Sequence, residues 1–182
     1  LQLLGGLGAA LLLNRDTPIR RFGRSALLVP MVLPPIAVGI LWRVMYTVDI
    51  SPFHRFMAWI GLPVPPLTTD PDFALWAIVL VDSWEWFPFT MLLVLAALQM
   101  IPESPVEAAR IDGANGWQMF RYVLFPYIAP TLVVCALFRL IDSIKAFPLI
   151  YVLTSGGPGD ATTVTNYYAF VQAFNFSLWG YA

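Results

Sequence analysis

Apolar residues come in long runs along this chain, with polar ones in short blocks between them. Leu1–Leu13 is apolar and ends at Asn14. Ser25–Val48, Phe73–Gln99 and Ile128–Leu153 are three further runs, each near or above the ~20 residues a helix needs to cross hydrocarbon. They predict membrane spans over about 1–13 (the tail of a helix), 25–48, 73–99 and 128–153. Pro30, Pro34 and Pro35 predict a kink or a broken start in the second span, which membrane helices tolerate when neighbours satisfy the freed carbonyls. The third span is long enough to tilt or to extend past the membrane. Between the second and third lies a proline-rich block, 49–72, with a short interfacial helix predicted over His54–Ile60. TSGGPGD at Thr154–Asp160 reads as a turn. The polar and aromatic residues after it lead toward the start of a further span after about 177. The chain opens with LQLLGGLGAALLL and closes in mid-pattern at SLWGYA, so it reads as a bundle incomplete at both ends. No basic stretch precedes the first run, which argues against a signal peptide.

The polar block from Met100 to Tyr127 stands apart because it is helix-prone as well as polar. Ser104-Pro105-Val106-Glu107 reads as a helix start, with serine as cap, proline in the first turn and glutamate closing a capping box. Ala108, Ala109 and Arg110 favour helix, and Gly113 predicts a stop or a sharp bend. Asn115-Gly116-Trp117-Gln118 starts a second short helix, predicted to run to Phe125, with Pro126 marking the turn into the next span. On these residues alone an ordinary amphipathic loop fits, in which Glu107 is only a cap.

Composition agrees with a membrane protein. The chain is 59% hydrophobic and 12% charged, with a mean hydropathy of +0.73. Soluble domains carry about 25% charged residues, so too little polar surface exists to coat a water-soluble globule. A net charge of −1 gives no pull toward nucleic acid. Cys135 is the only cysteine and His54 the only histidine, which excludes an intrachain disulfide and argues against a His/Cys metal site. The sign pattern sets orientation. Arg15, Arg20, Arg21 and Arg24 sit in 14–24, and Arg110 and Arg121 in 100–127. Only Arg55 falls in 49–72, and no basic residue follows Leu153. The first pair of loops is therefore expected in the cytoplasm and the second outside.

Charged residues also fall inside the spans. Asp82 and Glu85 are three apart and share a helix face, as do Arg139 and Asp142, with Lys145 one turn on. Arg43 lies near the outer end of its span and can snorkel. Intramembrane charges normally face a bundle interior or a watery cavity. Two readings follow. Asp82, Glu85 and Asp142 line a solute path, with Trp84, Trp86 and Phe87 stacking on sugar rings; or Asp82 or Glu85 pairs with Arg139 or Lys145 to hold helices in register. No catalytic set emerges, and no glycine-rich phosphate loop with its lysine is present.

Glu107-Ala108-Ala109, Asp112-Gly113-Ala114, Gln118, Phe120, Pro126 and Pro130 together resemble the EAA loop of ABC-importer permease subunits. Leu98-Gln99-Met100-Ile101-Pro102 is similar to that family's lead-in. Leu149 to Gly159, LIYVLTSGGPG, is similar to the signature of carbohydrate-class permeases of the maltose and glycerol-phosphate type, and Gly180-Tyr181-Ala182 fits the next stretch. Phe125 departs from the usual leucine before the proline, and Ser155 from a common glycine. The resemblance implies an all-α transmembrane bundle, a type I (MetI-like) importer permease core in a bacterial or archaeal inner membrane. It implies that Glu107, Ala108, Ala109, Arg110, Asp112, Gly113 and Gln118 couple to a cytoplasmic ATPase. It also implies a second permease subunit, two ATPase subunits that carry ATP and Mg, an extracytoplasmic solute-binding protein, and surrounding membrane lipid. The cargo expected is a sugar or polyol. Other solutes (an amino acid, phosphate), a polytopic membrane enzyme and a structural assembly subunit are the competing readings.

Overall fold

A computed structural model describes residues 1–14, 16–62 and 64–181. Arg15 of the basic block, Pro63 of the proline-rich block and Ala182 lie outside the described residues. Among those described, all regular structure is helical: α1 (Gln2–Leu13), α2 (Pro18–Leu27), α3 (Val29–Val32), α4 (Pro35–Tyr46), α5 (Pro52–Trp59), α6 (Pro71–Gln99), α7 (Glu103–Ile111), α8 (Gly116–Gln118), α9 (Phe125–Ile144), α10 (Pro148–Leu153) and α11 (Thr165–Phe170). Wider π-helical turns occupy Met119–Leu124 and Val171–Asn175. Two helical stretches, Pro71–Gln99 and Gly116–Ile144, are long and apolar enough to cross a membrane. At 1.5 Å per residue each is about 44 Å long, more than the ~30 Å hydrocarbon core.

The chain forms two compact units. One comprises Leu1–Val32 and Trp86–Ile141, the other Leu33–Glu85 and Asp142–Ala182. The first is built around Ala10 of α1, Met91, Val94, Leu95 and Leu98 of α6, and Ile128 of α9. Here α1 meets α6 at backbone distance. A Cβ on Gly6 would stand 2.5 Å from Thr90 Cβ and 2.8 Å from Met91 N. Small residues permit this approach, and in lipid such close packing is a main source of helix association. Arg24 of α2 folds back to donate to Leu13 O at 2.6 and 3.1 Å, placing a cation on the carbonyl end of α1.

The second unit packs α4 against α10 and the first half of α6 around Val38, Tyr46, Ala77, Ile78, Val81, Leu149, Ile150 and Leu153. A Cβ on Gly39 would meet Val152 Cγ1 at 2.9 Å, and Tyr46 donates its hydroxyl to Ala77 O at 3.2 Å. His54 on α5 is buried beside Phe53, edge to face at 5.7 Å, and neither ring nitrogen makes a hydrogen bond. Its ring packs within this unit.

The buried positions of α6 run Ala74, Ala77, Ile78, Val81, Glu85, Pro88, Thr90, Met91, Val94, Leu95 and Leu98, a stripe at helical spacing that widens from Thr90 onward. Its other face is equally apolar, with Leu75, Trp76, Leu80 and Leu92 exposed. Two predicted spans are subdivided. The 25–48 run breaks at Leu33 and Pro34, where Pro34 is extended and Pro35 opens α4; a residue before proline is pushed out of the helical region. The 128–153 run stops at Ile144, and Pro148 opens a separate helix.

The Gly6 contact yields a stability prediction. Gly6→Val should lower the stability of the purified protein in detergent by about 1–3 kcal/mol through overpacking. Gly8→Ala, where nothing lies within 4 Å, should leave thermal unfolding nearly unchanged. Equal melting of both variants would contradict the close approach of α1 to α6.

Candidate functional site

The Met100–Tyr127 segment forms two helices joined by a tightly bonded elbow. Helix α6 frays through Met100 and Ile101, and Pro102 takes an extended conformation (φ −58°, ψ 147°). Helix α7 starts immediately afterwards at Glu103, without a side-chain cap. The capping box predicted at Ser104 and Glu107 is therefore not made. Ser104 lies inside the first turn, and Pro105 occupies the third helical position, where a missing N–H costs nothing because it has no intrahelical acceptor.

At the other end of α7 the chain closes as a glycine C-cap. Ala114 N donates to Ala109 O at 2.9 Å and Gly113 N to Arg110 O at 3.1 Å. This pairing requires the left-handed conformation that Gly113 adopts (φ +77°). One residue later Asn115 starts α8 with a reciprocal box. Its Oδ1 accepts from Gln118 N at 2.9 Å, while Gln118 Oε1 accepts from Asn115 N at 2.8 Å. Gln118, expected as a coupling residue, thus has a bracing role within the elbow. The helix does not turn at Pro126 as predicted. The π-helical turn Met119–Leu124 carries α8 straight into α9, giving one 29-residue rod from Gly116 to Ile144. Phe125 N–H bonds Phe120 O, five residues back, so the ladder is already displaced where proline withdraws its donor.

The exposed face of this elbow is informative. Helix α7 has nine residues and buries none of them. Glu107, Ala108, Arg110, Asp112 and Gly113 are exposed, and Ala109 is half-buried. Ile111 is 86% and Trp117 69% exposed, which the sequence reading did not single out; an isolated Ile111 in a polar block was the available signal. A short helix is marginal in water without tertiary packing, and here the elbow holds two large apolar groups outward, Ile111 at the end of α7 and Trp117 on α8.

The second candidate set lies in mid-span. Glu85 is fully buried; Asp82, Trp84 and Trp86 are half-buried and Asp142 is exposed. Trp84 packs edge-on to Trp42 with centroids 5.4 Å apart, within the α4–α10 core. Trp86 instead lies under the Arg139 guanidinium, 4.7 Å from its ring centre. Arg139 is buried and donates from Nε to Gln2 Oε1 at 2.6 Å. The two tryptophans, two residues apart on one helix, thus have different neighbours. Among the described residues no group of three or more His, Cys, Asp or Glu side chains is placed to hold a metal ion.

With this geometry in view, the comparisons are specific. Residues 2–181 match the model of the binding-protein-dependent transport system inner membrane component. The chain belongs to this family. Among curated members, it is 40% identical over 171 residues to the trehalose/maltose transport system permease protein MalF of Thermococcus litoralis, covering 93% of this chain and 58% of that one. It is 39% identical to a probable ABC transporter permease of Sinorhizobium fredii, over 93% of this chain and 54% of the other. The sulfoquinovosyl glycerol transport system permease of Agrobacterium fabrum is 32% identical, over 98% and 58% respectively. The chain therefore spans a little over half the length of these relatives. A bacterial ABC transporter involved in importing the acidic polysaccharide alginate superposes with a TM-score of 0.84 at 23% identity, over 95% of this chain and 62% of that one. That likeness shows the same all-α fold.

The elbow's bracing generates its own test. Asn115→Ala should remove about 1 kcal/mol of local cap stability. Amide exchange over residues 116–124 should speed up by about fivefold to tenfold, while exchange in α1 is unchanged.

Proposed function

We propose that this chain is the permease subunit of an ATP-driven, binding-protein-dependent importer, and that the α7–α8 elbow is its coupling element. The observation that carries the reading is a nine-residue helix with no fully buried residue, fixed at its end by two backbone bonds and followed by a reciprocal cap. Its exposed face can take a partner. Glu107 offers a charge to a basic group on a partner, Ala108 permits close approach, and Ile111 and Trp117 offer apolar anchors. Arg110 and Asp112 lie on the same exposed helix end and would make rim contacts.

The arginine bias supports a cytoplasmic position for this elbow. There two ATPase subunits, carrying ATP and Mg, would grip it. Closure of those subunits moves α7. The elbow passes the displacement to the rod that runs from Gly116 to Ile144, and the pore alternates between inward- and outward-facing states. A second permease subunit completes the pore, and an extracytoplasmic binding protein delivers the solute. The names of the trehalose/maltose and sulfoquinovosyl glycerol relatives support a sugar or polyol as cargo. Asp82, Trp84, Glu85, Trp86 and Asp142 are the candidates for the solute path. The burial of Glu85 and the engagement of Trp86 by Arg139 favour a share in holding helices together as well.

Gly113 supplies the decisive variant. Gly113→Val places a β-branched residue at φ +77°, which it adopts only with strain. In the reconstituted complex, solute-stimulated ATP hydrolysis should fall by about tenfold or more, roughly 1.4 kcal/mol of lost coupling. Membrane insertion and subunit assembly should persist. A membrane enzyme would be indifferent to this change, so undiminished stimulation overturns the coupling role.

A further inference from the structure

Helix α2 turns an apolar stripe outward. Ile19 is 79% and Phe22 75% exposed, and Ala26 and Val29 are exposed as well. Leu28, which joins α2 to α3, is itself helical, so steps of three, four and three residues keep all four on one side. The other side is taken by the rest of the unit. Gly23 lies against Leu13, where an added Cβ would stand 3.4 Å from Leu13 Cδ2. Leu27 and Leu28 join the core around Ala10 and Met91, and Arg24 donates to Leu13 O.

The bond to Leu13 fixes the depth of this helix. Leu13 ends α1, the apolar helix read as the tail of a span, so its last carbonyls stand where hydrocarbon gives way to water. Helix α2 is tied to that level, and Arg20 and Arg21 fall between Ile19 and Phe22 in the chain. On a soluble surface an outward isoleucine–phenylalanine stripe marks a contact site. At a bilayer edge, next to arginines, it has the chemistry of an interfacial helix, whose apolar side enters the acyl boundary and whose basic side meets headgroups.

Charge selects among lipids. Residues 14–24 carry four arginines against one acid, Asp16. The Arg21 fork already holds an oxyanion: Nη2 donates to the two Asp16 oxygens at 2.9 and 3.1 Å. Both side chains are largely exposed, at 71% and 66%, so the pair adds little stability and a second oxyanion can exchange for the carboxylate. Phosphate suits the same fork. Free phosphate has no use for the apolar stripe, whereas a phospholipid matches both halves of the surface. We propose that α2 is an interfacial anchor for anionic phospholipid: Arg20 and Arg21 bind the headgroup phosphate, Ile19, Phe22, Ala26 and Val29 enter the acyl boundary, and Asp16 holds Arg21 until the lipid replaces it. The arginine bias supports the cytoplasmic leaflet as its place. The anchor is independent of the elbow, and stands whether or not α7 couples to an ATPase.

The test uses the full-length protein with its co-purifying subunits in detergent. Short-chain phosphatidylglycerol and phosphatidylcholine are titrated in turn, and bound lipid is counted by native mass spectrometry. The parent should bind phosphatidylglycerol at least about fivefold more tightly than phosphatidylcholine. Arg20→Gln and Arg21→Gln should each weaken phosphatidylglycerol by about fivefold and leave phosphatidylcholine unchanged. Phe22→Ser should weaken both lipids. Asp16→Asn, which releases Arg21, should tighten phosphatidylglycerol alone, and it carries the test if the arginine variants do not fold. Equal binding of the two lipids by the parent overturns the anchor, as does phosphatidylglycerol affinity that none of the Asp16, Arg20 and Arg21 changes moves. Inorganic phosphate that displaces the lipid at equal concentration assigns the arginines to a free anion and overturns it too. Arginine variants that shed a co-purifying subunit while keeping their phosphatidylglycerol affinity give this face to a protein partner, with the same result.

Discussion

Pro126 withdraws a hydrogen-bond donor from the helix that leaves the elbow, and the continuity of that helix depends on how the loss is met. In a regular α-helix the ring would also crowd the carbonyl four residues back. Here the preceding turn, Met119–Leu124, is wound wide, and the ladder has shifted by one residue before the proline arrives. The helix therefore runs unbroken from Gly116 to Ile144. With the wide turn in place, α8 and α9 form one continuous helix, and Gly113 is left as the point where the chain changes direction.

Helix α7 complements this arrangement. Most helices in proteins owe their stability to an apolar face buried against neighbours, and α7 has only a shallow one, with Pro105, Val106 and Ala109 half-buried. Its C-terminal carbonyls are satisfied by Gly113 and Ala114, and the next four residues carry their own cap. Local backbone bonding thus supplements partial burial. Ile111 and Trp117 remain exposed.

What the sequence disclosed follows the same division between local and distant forces. Gly113 as a bend and Asn115–Gln118 as a helix start are local chemistry, and both are realised. The start at Ser104 was misplaced because the serine–glutamate spacing fits a cap equally well, while Pro102 already fixes the entry two residues earlier. The wide turn before Pro126 leaves no compositional trace, so a proline stop was the natural expectation. Rotation of α6 was illegible for a membrane-specific reason: its buried stripe from Ala74 to Leu98 is no more apolar than its exposed face. Hence Trp84 and Trp86 could be grouped by sequence, although one joins Trp42 and the other meets Arg139. Gln2 and Arg139 are 137 positions apart, beyond the reach of any periodicity.

The last of these contacts explains how α9 is held. Val133, Val134, Leu137, Phe138, Leu140, Ile141 and Ile144 are all exposed, and only Ile128, Cys135 and Arg139 are buried. In hydrocarbon such a surface has no drive to pack, since lipid tails are as apolar as the side chains. Position must come from directional contacts. Phe138 meets Phe89 edge to face at 6.3 Å, and one residue on, the Arg139 guanidinium lies over Trp86 and bonds Gln2. An aromatic pair contributes about 0.5–1.5 kcal/mol, and a cation over an indole about 2 kcal/mol or more once desolvated. Arg139 therefore pins a helix that hydrophobicity cannot place, and the charge that looks costly at membrane depth fixes α9 against α1 and α6.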